Sequence, residues 1–444
     1  MRTFAQKIRL SCFVFVCAIL LPVPGRATNL TVDCSGGTPG AFTRLQAAID
    51  SLDLLGPHRI TVVGAPCIEN VQIVDRQRLT IIAPQGNFIT SQLGPNGDVM
   101  TISGSTGITL ILLGFTGGSR GLVINRASEV SIHGTTVQGN AAAGIRIDGN
   151  STVDFDGAIQ NNGGAGINAN DSTLILGGGS QLLNNGAAGV ALTRSRGKFQ
   201  GNTFQGNRTG LNITNGSSAT FLPTSVPNLI QNNRNAGVNV SNGSSAVIFA
   251  PTLIQNNGSI GVQVADGSSV RFFGDVAPDG TPVPNVISGN PFIGLNIDNG
   301  AVIMFDANQI LNNGLGMQQF HAGVRVDDNA SLIAVGSDDI QIKGNSGPGI
   351  DATTGGNVDL TGTVVSNNSE DGIRLQGNAQ VAFFPPNTNV LAGNGGQPIK
   401  CDNTSVFFGD RTGLQEFACK ISELKDRPSA SERKRMMKEE RDDK

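Results

Sequence analysis

Apolar residues recur at alternate positions in short runs along most of the chain: Ile145 and Ile147, Val190 and Leu192, Leu211 and Ile213, Val238 and Val240, Val262 and Val264, Val324 and Val326. A period of two predicts strands with one buried face. Each run follows a Gly, and a second alternating run comes after it, as in Val153-Asp-Phe155, Val270-Arg-Phe272 and Val381-Ala-Phe383. A short third run, such as Leu229-Ile230, closes the unit. Three short strands and three turns describe one coil. Val262, Val264, Val270 and Phe272 are expected to point inward, and Gln263 and Arg271 outward.

The units repeat. Asn-Asn or Gly-Asn pairs open at 139, 161, 184, 206, 232, 256, 289, 312, 344, 367 and 393, a mean spacing of about 25 residues. A fixed period of that size signals a solenoid. Leucine-rich repeats would need a Leu-x-x-Leu-x-Leu frame, which is missing, and the 60 Gly argue against helical repeats. Asn and Gly at the corners suit positive-φ turns, and a buried Asn amide can bond to the Asn of the coils above and below. The same demand for turn residues explains Asn215-Gly-Ser and Asn242-Gly-Ser better than glycosylation does.

Repeats such as "NNRNAGVNVSNGSSAVIF" and "GNSTVDFDGAIQNN" resemble those of right-handed parallel β-helix proteins, the pectin-lyase-like superfamily. The resemblance covers about Ile60 to Lys420. It implies an all-β, single-domain solenoid, but no particular activity, because the same grammar serves lyases, hydrolases, epimerases, tailspikes and adhesins. The polygalacturonase-like set is represented only by Asp338-Asp339 and Gln341-Ile-Lys343, which stand too close together. Lyase-like Arg-x-Pro-x-x-Arg and epimerase-like Asp-Pro-His-Asp do not occur.

The ends read differently. Arg2, Lys7 and Arg9 precede an apolar run from Ser11 to Leu21 and small residues up to Ala27, predicting a secretory signal peptide over residues 1–27 and a secreted protein, extracellular or periplasmic. The run is about half of the ~20 apolar residues that a span needs, so no membrane segment is expected after cleavage. Residues 28–59 are expected to form an N-terminal cap, with Phe42, Leu45, Ile49, Leu52 and Leu55 on one face of an amphipathic helix. The solenoid then occupies 60–420, and 421–444 form a charged, disordered tail. After export Cys34, Cys67, Cys401 and Cys419 remain; an oxidising compartment favours the local pairs Cys34–Cys67 and Cys401–Cys419.

Composition narrows function mainly by exclusion. A formal charge of -3 with 15% charged residues is unlike a nucleic-acid binder, and without Trp or Tyr the usual sugar-stacking rings are missing. Function must therefore come from the outward residues of the strand after each Gly. One outward column runs from Arg146 through Asn212, Asn239, Gln263 and Asn296 to Arg325, Asp351 and Arg374; the other runs from Asp148 through Thr214 and Ser241 to Asp298, Asp327 and Thr353. Both are neutral in the middle and charged towards the C-terminal end. There Asp298, Asp327 and Asp351 are candidate acid–base groups or Ca²⁺ ligands, and Arg325, Arg374 and Asn296 are candidate contacts for an acidic extracellular polysaccharide. His321 joins them from the loop "GLGMQQFHAG", which with "DVAPDGTPVPN" is expected to flank the charged coils. As exposed pairs, Arg325 and Arg374 are expected to contribute little stability. The alternative reading is a structural or adhesive solenoid whose charges form an ordinary surface network.

Overall fold

The computed structural model describes residues 27–316, 321–385, 388–409 and 419–422. The expected signal peptide, apart from Ala27, and the tail beyond Ser422 lie outside them. The chain winds as a right-handed parallel β-solenoid. One strand of each coil joins a 14-stranded sheet running from Val71–Val74 to Ile399–Cys401, called here the ladder sheet; a 27-stranded sheet forms the remaining two faces, and Asp275–Val276 with Pro282–Val283 makes a separate antiparallel pair.

The alternation of the sequence sets the core. Val262, Val264 and Val270 have no exposed surface and Phe272 only 1%, whereas Gln263 and Arg271 lie on the outer side, half-buried. Each inward residue stacks on its equivalent one coil away, as in Leu211 on Val238 and Val238 on Val262. The core is therefore a set of columns parallel to the solenoid axis.

The Asn pairs form the corner before the ladder sheet, and their two positions do different work. The first residue is in the left-handed region: Asn161, Asn184, Asn232, Asn256, Asn312 and Asn367 have φ between 53° and 55°, and Gly replaces Asn at the other coils. The second residue is buried. From Asn140 to Asn368, each amide Nδ2 donates to the Oδ1 of the next Asn, at 2.9 Å for Asn233 to Asn257 and 3.2 Å for Asn257 to Asn290, and the ladder ends on Asn394. The Oδ1 also accepts a backbone N–H, as from Asn233 at 3.2 Å. The Gly four residues on is forced by this corner: a Cβ on Gly237 would lie 2.7 Å from the Gly261 oxygen and 2.8 Å from Asn257 Nδ2. At the next corner Ser217 and Ser244 are buried, and the N–H of Ser217 donates to Ser244 Oγ at 3.2 Å. The Ser of both Asn-Gly-Ser triplets is thus a structural acceptor.

The N-terminal helix is shorter than its apolar spacing predicts. It covers Leu45–Asp50, with Leu45, Ala48 and Ile49 buried; Phe42 bridges to Val32 as extended chain, and Leu55 is exposed. The buried Glu69 starts the helix by accepting the N–H groups of Leu45 at 2.6 Å and Gln46 at 3.1 Å. Beyond it, Arg76 and Arg78 bind the carbonyls of Leu52, Asp53, Leu55 and Gly56, which holds that stretch out of helical form. Thr28–Asp33 pairs in parallel with His58–Val63, so the cap segment also supplies a strand to the stack. Disulfides join Cys34 to Cys67 and Cys401 to Cys419.

Three substitutions test this construction by chemical denaturation. Phe272→Ala is expected to lower stability by ~3–5 kcal/mol, and Arg271→Ala by no more than ~1 kcal/mol. Asn257→Leu strips acceptors from two buried donors of Asn233 and is expected to cost ~2–5 kcal/mol. Equal effects at Phe272 and Arg271 would mean that the inner and outer sides have been exchanged.

Candidate functional site

The two outward columns hold in the structure as the repeat predicts. Asn296 pairs with Arg325, Arg325 with Asp351 and Asp351 with Arg374 in one column, and Asp298 pairs with Asp327 in the other. The first column continues to Lys400. Neighbouring coils are about 4.8 Å apart, so all of these side chains lie on one face.

They spread across the face rather than meeting at one point. Along the downstream edge of the sheet, Asp327 receives Arg325 Nη2 at 2.5 Å and Thr353 Oγ1 at 2.8 Å, with Asp298 on the coil before. On the two coils after Arg325, Arg374 grips Asp351 in two bonds of 2.9 and 2.8 Å and donates to Glu370 at 3.0 Å, while His321 Nε2 stands 3.2 Å from the second oxygen of Glu370. His321 opens the strand Ala322–Asp327 that Asp327 closes. The two are roughly 20 Å apart along extended chain and cannot act on one bond.

Asp351, expected among the acid–base groups, is instead a buried counter-ion: its side chain is 9% exposed and both oxygens are held by Arg374. Asn296 donates its amide to Gln263 at 2.8 Å. Only one of the two long loops adjoins this face. The segment after Gly314 leads into His321, but "DVAPDGTPVPN" leaves between Ser269–Phe273 and Asn285–Ser288, both strands of the large sheet, and so sits at the corner opposite the ladder sheet.

Glu370 and Thr353 were not singled out from the sequence. Glu370 carries a positional signal, because it stands two residues before a Gly, as His321 does. The residue at that offset on the coil between them is Gly347, where a Cβ would lie 2.6 Å from His321 Cδ2. The bare Gly lets the imidazole reach across one coil to Glu370.

The Asp298 and Asp327 carboxyls are driven in opposite directions. Partial burial and the negative charges of Asp327, Asp328 and Asp266 push Asp298 above the usual carboxylate range. Burial alone would raise Asp327 too, but hydrogen bonds from Thr353 and Thr354 and the Arg325 charge outweigh it and hold Asp327 low. Among the described residues Asp298 joins no ion pair. The hydrogen bonds from Arg374 to Asp351 reinforce the guanidinium charge.

The family model for the right handed beta helix region matches residues 120–277 and 253–407, more than half of the chain. The chain belongs to that family. Similar solved structures include the periplasmic alginate epimerase AlgG (12% identity over 86% of this chain and 84% of that one, TM-score 0.31), the A-module of the Azotobacter vinelandii mannuronan C-5 epimerase AlgE4 (13%, 90% and 89%, 0.28) and the pectate lyase Pel9A (13%, 92% and 80%, 0.21). At such scores no statement about the chemistry of this β-helix protein rests on them. No curated protein sequence matches it. No helix among its described residues is long and apolar enough to cross a membrane.

Thermal melts at two pH values test the electrostatics. The protonated form of Asp298 favours the folded state, so its contribution is present at low pH and lost as pH rises through the raised value; Asp298→Asn is expected to raise Tm near pH 7 and leave it unchanged near pH 3. Asp327, held low, contributes above the usual carboxylate range and loses this as pH falls, so Asp327→Asn is expected to lower Tm near neutral pH. Against the expectation that neither Arg affects stability, Arg374→Ala leaves Asp351 buried and unpaired and is expected to cost about 2–3 kcal/mol, with about 1 kcal/mol for Arg325→Ala.

Proposed function

We propose that this β-helix protein binds and processes polysaccharide along the ladder sheet, with Asp298 and Asp327 as its acid–base pair. One observation carries the reading: two carboxyls on neighbouring coils of an exposed face are pushed apart, one towards its protonated form and one towards its ionised form. That division of labour is what a general acid and its carboxylate partner need when a glycosidic bond is cleaved or a sugar proton is moved. Thr353 and Arg325 keep Asp327 ionised, and partial burial with the charges of Asp327, Asp328 and Asp266 pushes Asp298 towards its protonated form. The same carboxylates are the groups a Ca²⁺ ion would use. Asn239, Gln263 and Asn296 on the preceding coils supply hydrogen-bonding side chains for the rest of the polymer. An exported protein fits this role, and the two disulfides fit an oxidising compartment.

A second reading, a solenoid without chemistry, is favoured by the closure of both guanidinium groups within the face. The two are separated by assaying a panel of neutral and uronic polysaccharides for new reducing ends and unsaturated products, with and without Ca²⁺. Turnover of one polymer is expected, falling at least ~100-fold in Asp298→Asn and in Asp327→Asn. Turnover indifferent to both substitutions, or none on any polymer together with no binding, would leave the structural reading.

A further inference from the structure

The charge arrangement on the ladder sheet also bears on which polysaccharide it takes. We infer that the face is built for a neutral, hydroxyl-rich glycan and discriminates against polyuronates; this rests on the polysaccharide reading above and names its substrate class.

A sugar carboxylate is held best by an Arg that offers its planar fork to two oxygens. The Arg374 fork is closed to one, and Arg325 and Arg146 each already carry an aspartate two residues on. Arg374 spends Nε and Nη2 on Asp351 and Nη1 on Glu370, and Arg325 spends Nη2 on Asp327. A uronate entering the Arg374 fork would displace Asp351, whose side chain is 9% exposed, and a carboxylate left buried without its cation is strongly disfavoured. Lys400, at the C-terminal end of the column, has Asp371 at 3.9 Å.

The balance of charge points the same way. Once those pairs are counted, Asp266 and Asp328 join no ion pair among the described residues, and both lie close enough to Asp298 to push its carboxyl upward. A polyanion approaching this edge meets like charge. A neutral sugar meets what its hydroxyl groups can use, since a hydroxyl both donates to carboxylates and accepts from amides. Amides stand in register on four successive coils, Asn212, Asn239, Gln263 and Asn296, and each offers hydrogen-bonding capacity beside its bond to a neighbour, as Asn239 Nδ2 to Asn212 Oδ1 at 2.7 Å. This outward column has no charged residue between Arg146 and Arg325.

Affinity electrophoresis of the mature chain tests the inference, with soluble galactan and β-glucan as neutral probes and polygalacturonate and alginate as uronic ones. Retention by a neutral polymer is expected, with at least ~10-fold weaker retention by both uronates. Glu370→Gln, which releases Arg374 Nη1, and Asp328→Asn, which removes an unpaired charge, are each expected to strengthen uronate retention, while Asn239→Leu weakens retention by the neutral polymer at unchanged Tm. Uronate binding as tight as neutral binding, lost in Arg325→Gln, would overturn the substrate class and leave the polysaccharide reading standing. Retention by no polymer at all would remove the reading and the inference with it.

Discussion

The buried asparagine ladder is the interaction on which the remaining structure depends. Every coil must turn sharply before the ladder sheet, and a sharp turn at the edge of an apolar core leaves backbone donors and acceptors away from water. One amide per coil resolves this: its Nδ2 donates to the neighbouring amide and to a carbonyl of an earlier coil, and its Oδ1 accepts from the backbone, as in Asn257 with Asn290, Ile230 and Asn233. An amide donates and accepts at once without charge, through two separate atoms. Asp would stack like charges at coil spacing, and Ser would not reach both neighbours.

Because the ladder fixes the position of each corner, it also fixes the register of the strand that follows. Residues at the same offset from the Gly that opens each strand then stand above one another over the whole stack, even where the loop before that Gly is longer. The insertions between 256 and 289 and between 312 and 344 leave the pairings Gln263 to Asn296 and Arg325 to Asp351 intact. Outward chemistry is thereby separated from folding: Asp298 and Asp327 meet because of buried residues that never touch them.

This separation explains what could be read in the sequence. The strands, both outward columns, the inward Val and Phe and the ladder amides follow from periodicity, since each is set by a rule that repeats; the two disulfides follow instead from the local pairing of four Cys in an oxidising compartment. What does not repeat was harder to read. The helix ends at Asp50 because Arg76 and Arg78, from another coil, claim the carbonyls beyond it. Which loop adjoins the ladder sheet depends on the strand it follows, not on its length. Within the columns the sequence placed the charges but not their bonds: Arg325 turns sideways to Asp327 on its own strand, whereas Arg374 turns back to Asp351 on the preceding coil. Side-chain direction decides this, and spacing does not contain it.

Those bonds also separate ordinary surface charge from a candidate site. A column of side chains one coil apart penalises like charges on neighbouring coils, and in the charged stretch of these columns such neighbours occur at Arg374 with Lys400 and at Asp298 with Asp327. In the first case each cation has its own carboxylate, Asp351 with Glu370 for one and Asp371 for the other, so the repulsion is cancelled locally. In the second only Asp327 has a cation. The uncancelled repulsion falls on Asp298, and a proton relieves it. A solenoid selected only for solubility gains nothing from leaving one such pair open, since any neutral residue at 298 would remove the strain; a site that needs a carboxylic acid beside a carboxylate requires that arrangement.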